Sequence, residues 1–169
     1  MFIVLNGALG IGKSTLAEAL SESIDQCVML DGDHLVAANP PHPDSVRHLH
    51  STIALLVEHH RRFGYRHFVI NHVWTSPAEL ADLRRSLLEV DNAADVRCFL
   101  LTLSLEENLL RIHRRQSTRA LHELELELQT VAQEREALFC APEGELGEPF
   151  DVSAAPEPLV VSILERLGL

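Results

Sequence analysis

Positive charge is scarce in this chain. Fourteen lysines and arginines stand against 25 aspartates and glutamates, a formal net charge of −11 at pH 7. Such a surface repels polyphosphate backbones, which argues against nucleic acid as a main partner. Cysteine is scarce too: Cys27, Cys98 and Cys140 are odd in number, widely spaced and lack any metal-ligand spacing. Cys27 and Cys98 fall in apolar strand-like runs, so they read as reduced thiols of a cytosolic core, without a disulfide framework. No apolar run approaches the ~18 residues of a membrane span. The apolar N-terminus lacks a basic leader region and ends at Lys13, which argues against a targeting segment. The expectation is a cytoplasmic protein with no membrane partner, monomeric or homodimeric.

What is present is ordinary for a globular domain. Apolar residues make up 46% and charged residues 23% of 169 residues, consistent with one domain over 1–169. Phe2–Leu5 and Cys27–Leu30 are short apolar runs that predict strands buried on both faces. Between them, Leu16, Ala17, Leu20 and Ile24 share one face of a helix predicted over 13–24. A helix from Asp44 to about Phe63 stops at Gly64, and His67–Ile70 is a third strand. Ser76-Pro-Ala-Glu79 and Ser104-Leu-Glu-Glu107 read as capping boxes that open two further helices. Val96–Leu103 lies between those helices as the fourth strand. In HELELELQ (122–129) Glu and Leu alternate, but Leu121, Leu124, Leu128, Val131 and Leu138 follow helical spacing and predict a long acidic-faced helix. Phe150–Val152 is a fifth strand and 156–167 a last helix. Alternating strands and helices imply an α/β fold, a parallel sheet covered on both faces.

GALGIGKS (7–14) fits G-x-x-x-x-G-K-[ST] and has the strand before it and the helix after it that a phosphate cradle requires. Main-chain N–H groups of Gly7, Ala8, Leu9, Gly10, Ile11 and Gly12 would close on phosphate oxygens. Lys13 would bridge the β- and γ-phosphates, Ser14 would bind Mg²⁺, and Thr15 would reach the α-phosphate. The motif therefore reads as a nucleotide-binding site. The second strand ends Asp31-Gly-Asp33, at the rim towards which a γ-phosphate points. One carboxylate suits the metal and the other an attacking hydroxyl; a plain solvated turn is the alternative. The third strand ends in Asn71, where switch and motor NTPases carry an Asp, and this argues against a hydrolase of that type.

With these residues in view, NGALGIGKST followed by LDGDHL resembles the small P-loop kinases of metabolites and antibiotics, within the AAA-type P-loop ATP-binding proteins. Gluconate, shikimate and adenylylsulfate kinases, chloramphenicol phosphotransferase and tunicamycin-resistance proteins are of this kind. The resemblance is tight over the first 35 residues and one of layout beyond them. It implies a three-layer P-loop NTPase fold with a five-stranded parallel sheet in the order 2-3-1-4-5, and a short arginine-rich lid at about 111–122. It further implies Asp33 as acceptor ligand or base, Asp31 nearer the metal, Arg111 against adenine, and Arg115 and Arg119 on the transferring charge. A solvated basic face is the competing reading of these arginines. The loop 151–156 would border adenine.

The implied activity is transfer of the ATP γ-phosphate, with Mg²⁺, to a hydroxyl of a small-molecule acceptor, a metabolite or antibiotic. A nucleoside or nucleotide kinase would need basic residues near the acceptor, for which Arg47, Arg61, Arg62 and Arg66 are available. A nucleotide-binding ATPase or regulatory module would have no acceptor pocket. His48, His50, His59 and His60 read as a wet helix surface. Trp74 either stacks on an acceptor or packs beneath a loop, and His72 lies beside it.

Overall fold

The structure, a computed structural model, describes residues 1–114 and 121–169. Five parallel strands form one sheet in the order β2-β3-β1-β4-β5. The strands are β1 (Phe2–Asn6), β2 (Cys27–Asp31), β3 (His67–His72), β4 (Val96–Thr102) and β5 (Glu148–Asp151). The order expected from the resemblance is the order observed. β1 is wholly buried because its two faces meet different helices. Ile3 and Leu5 join a core with α1 (Lys13–Ser23) and α7 (Pro156–Leu167). Phe2 and Val4 join a second core with α3 (Ser45–Arg62) and α4 (Pro77–Val90). Alternate residues of one strand thus fill both outer layers, as the period of two dictates.

β2 differs from its expectation. Cys27, Val28 and Met29 are only half-buried, because the strand is a sheet edge paired with β3 alone. After it, Asp31 caps a single helical turn, α2 (Gly32–Leu35), by accepting the Asp33 N–H at 3.0 Å. The expected capping boxes also part ways. Ser104 Oγ accepts the Glu107 N–H at 3.2 Å and donates to Glu107 Oε2 at 3.0 Å, opening α5 (Leu105–Arg114) as the sequence implies. Ser76 sits at the start of α4 without a side-chain cap bond; Pro77 at the first helical position begins that helix.

α6 (Leu121–Cys140) confirms helix over strand for the Glu-Leu repeat. Val131 and Leu138 meet Ala8, Leu100, Ile112 and Leu146 in a third, smaller core. This cluster places α5 and α6 over the loop that follows β1.

Candidate active site

The cradle loop sits at the carboxyl end of β1, in the centre of the sheet. Gly12 holds φ 109°, a left-handed angle that side chains resist, and there the loop turns into α1. Lys13 is buried, with Nζ donating to the Gly7 and Ala8 carbonyls at 2.8 and 3.1 Å. The ammonium is thus held over the loop that would wrap a polyphosphate.

Ser14 Oγ donates to Asp31 Oδ2 at 2.9 Å, and Asn71 Nδ2 donates to the same oxygen at 2.9 Å. Burial pushes the Asp31 carboxyl up, but the bonds from Asn71, Ser14 and the Asp33 N–H outweigh it and hold the carboxyl below its usual value. Asn71 therefore orients Asp31, a role its amide suggests only once the strands are placed side by side. Asn71 Oδ1 is buried without a partner. A hydroxyl, a carboxylate and an orphaned amide oxygen are all hard oxygen donors, a set that fits Mg²⁺ with its waters. Ser14 and Asp31 would hold the ion, as the sequence implies.

Asp33 follows on α2. His72 Nδ1 lies 2.8 Å from its Oδ1, and this bond, opposed by burial and aided by His72, Lys13 and His34, holds the Asp33 carboxyl below its usual value. The close approach depends on Gly32: a Cβ there would stand 2.7 Å from the His72 ring.

Two residues that sequence reasoning missed come from the third core. Glu134 Oε2 accepts the Leu9 N–H at 2.6 Å, and Asn108 Nδ2 donates to the Leu9 carbonyl at 3.0 Å. The signal for Glu134 was its position: it falls between Val131 and Leu138 on the apolar stripe of α6, where a solvated glutamate does not belong.

On the other flank, Arg111 donates to the Ile11 carbonyl and the Val152 carbonyl, both at 2.7 Å. It thereby ties the cradle to the loop after β5. Between them opens a cleft of about 420 Å³ lined by Gly10, Gly12, Thr15, Arg111, Val152 and Pro156. The cradle, Arg111 and the 151–156 loop are brought together as expected. Arg115 and Arg119, with half of the expected lid (115–120), lie outside the described residues.

Other expectations need correction. Trp74 is 1% exposed; its main chain is pinned by Asn6, and its indole Nε1–H donates to His50 Nε2 at 3.1 Å. It packs beneath the loop and offers no stacking face. His50 is no wet surface residue: it is 2% exposed and its Nδ1 meets Asp82 Oδ2 at 2.9 Å. Because Nε2 accepts from Trp74, the proton sits on Nδ1 and faces Asp82. Among the described residues no group of His, Cys, Asp and Glu is arranged for a metal. Arg61 and Arg62 pair with Asp91 and Glu58, Arg66 receives the N-terminal amine, and Arg47 lies with Asp82 between α3 and α4. Among the described residues, the side chain hydrogen-bonded to Asp33 is that of His72.

A buried strand, a glycine-rich cradle with its lysine, and an α-helix at the centre of a 2-3-1-4-5 parallel sheet define a P-loop nucleotide-binding protein. The chain belongs to the AAA domain family, whose model matches residues 1–131. No curated protein sequence matches it. Solved structures do. The tunicamycin resistance protein of Deinococcus radiodurans superposes with TM-score 0.69 at 16% identity, covering 99% of this chain and 95% of that one. A gluconokinase from Sinorhizobium meliloti 1021 gives 0.69 at 22%, covering 98% and 90%. Shikimate kinase from Bacteroides thetaiotaomicron gives 0.61 at 14%, covering 100% and 99%. At these identities the likeness establishes the shared fold. Among the described residues no helix is long and apolar enough to cross a membrane.

Proposed function

We propose that this protein is an ATP-dependent phosphotransferase that moves the γ-phosphate to a hydroxyl of a small molecule, a metabolite or an antibiotic, in the cytoplasm. The observation that carries the reading is the pair at the end of β2. Asp31 is aimed at Ser14 by Asn71, and Asp33 is held separately by His72. Two carboxylates two residues apart are thus given different partners and different tasks. Mg²⁺, held by Ser14 and Asp31, would supply charge neutralisation at the phosphates. Lys13 spreads the charge that develops on the transferring group, and the cradle N–H groups hold the chain of phosphates still, except that of Leu9, which was expected among them but donates to Glu134. Asp33, a carboxylate throughout the neutral range, accepts the proton of the acceptor hydroxyl as its oxygen attacks phosphorus. Arg111 forms one wall of the nucleotide cleft, and Arg115 and Arg119 are assigned to the transferring charge by resemblance.

A nucleotide-binding module without an acceptor is the second reading, favoured by the burial of Trp74, which removes the aromatic surface expected to meet an acceptor. A nucleotide kinase has less support, because among the described residues Arg61 and Arg62 are paired with Asp91 and Glu58, and Arg47 lines a cavity with Asp82. Asp33→Asn separates the readings. ATP should bind as in the wild type while acceptor-dependent ADP release falls by about 10²- to 10⁴-fold. Equal release by both proteins removes Asp33 from the mechanism.

A further inference from the structure

Among the described residues of α6, Glu134 turns its carboxylate onto the cradle. Its carboxylate takes the N–H of Leu9, while Asn108 donates to the carbonyl of the same residue, so the two helices hold both main-chain polar groups of one cradle residue. Arg135, next in sequence, cannot neutralise it: Nη1 and Nη2 are directed to Asn108 Oδ1 and the Leu103 carbonyl. Burial pushes the Glu134 carboxyl above its usual value and Asp33 adds to this, while the Leu9 N–H and Lys13 work against it. The carboxylate is thus within electrostatic reach of Lys13, Asp33 and His72, the groups where donor and acceptor meet. Among the described residues, no arginine hydrogen-bonds to Asp33 or Glu134.

We propose that Glu134 selects the acceptor, favouring hydroxyl compounds that carry a protonated amine over neutral ones and rejecting anionic ones; this rests on the kinase reading above. An acceptor whose hydroxyl reaches Asp33 brings its remaining groups under the Glu134 carboxylate. An ammonium there gains a charge-assisted hydrogen bond. A carboxylate or phosphate there meets Glu134, Asp33 and the γ-phosphate together, and Arg135, the neighbouring cation on α6, is turned away to Asn108 and the Leu103 carbonyl.

The test compares ADP release, at saturating ATP, with glucosamine, glucose and gluconate as a matched charge series. Amine-bearing antibiotics, adenosine and adenosine 5′-monophosphate extend the series beyond sugars. Wild-type kcat/KM should fall in the order amine, neutral, anion. Glu134→Gln keeps an oxygen for the Leu9 N–H and removes only the charge. It should raise the KM of the amine-bearing acceptor by about 10- to 100-fold relative to that of the neutral acceptor. A residue that merely braced the cradle would instead shift all acceptors alike, and that result overturns the proposal. A wild-type preference for gluconate or the monophosphate overturns it without any variant, while leaving the kinase reading intact. Release with none of the compounds removes the kinase reading and this inference with it.

Discussion

Asn71→Asp is the most informative single change, because it restores the carboxylate common to switch NTPases in a site built without it. In the wild type Asn71 Nδ2 lies 2.9 Å from Asp31 Oδ2, and Asn71 is 1% exposed. The variant replaces that donor with a second negative oxygen. Two charges ~3 Å apart at an effective dielectric constant of about 20 repel by roughly 5 kcal/mol. The protein has an escape, which is to keep a proton on the pair. Holding one carboxyl protonated at pH 7, about three units above an ordinary aspartate, costs about 4 kcal/mol, so this sets the ceiling. At pH 5 the same escape costs about 1.5 kcal/mol. The sign follows from linkage: the folded variant binds a proton that the unfolded chain has released, so its stability falls as pH rises above about 4. Urea unfolding at pH 5, 6 and 7 measures this. The deficit relative to wild type should grow by about 1.4 kcal/mol per pH unit until it reaches the Coulomb limit. A small, pH-independent deficit would mean that Asn71 does not touch Asp31, and the orientation argued for the Asp31–Ser14 pair would be lost.

Two further outcomes follow from buried groups. His50→Leu leaves the buried indole N–H of Trp74 without its acceptor and should cost about 1–3 kcal/mol in urea unfolding, followed by the fluorescence of this single tryptophan; a cost below about 0.5 kcal/mol would refute the bond. Burial raises the Cys27 and Cys98 thiols to about 11 and about 12, whereas Cys140 is exposed. At pH 8 the Cys27 and Cys98 thiols are therefore almost wholly protonated, and iodoacetamide on the folded protein should modify Cys140 first, as peptide mass mapping will show. Rapid modification of Cys98 would contradict its burial.

The parts of the site that were legible in the sequence are those built from one strand and its next turn. The cradle, Lys13, Ser14 and the Asp31/Asp33 pair each announce themselves within a few residues, because a phosphate loop is made by local backbone geometry. What stayed hidden is what distant elements bring. Asn71 acts on Asp31 only because β3 lies against β2, with Asp31 opposite Asn71 in register. Glu134 and Asn108 reach Leu9 across more than 90 residues of chain, which no spacing rule spans. His50 was misread for a different reason. Leu49, Ile53 and Val57 mark the buried face of α3, and His50 lies on that face beside them, so the stripe itself disclosed its burial. Its carboxylate partner, Asp82, belongs to another helix and could not be read from α3 alone.

The central claim is that the γ-phosphate ends on a small hydroxyl compound. The direct measurement incubates the protein with Mg²⁺, γ-¹⁸O-labelled ATP and the acceptor panel, and weighs the acceptors by mass spectrometry. One acceptor should gain a labelled phosphoryl group with the wild type and none with Asp33→Asn. Labelled inorganic phosphate as the sole product, with every acceptor unchanged, would make this protein an ATPase and contradict the account.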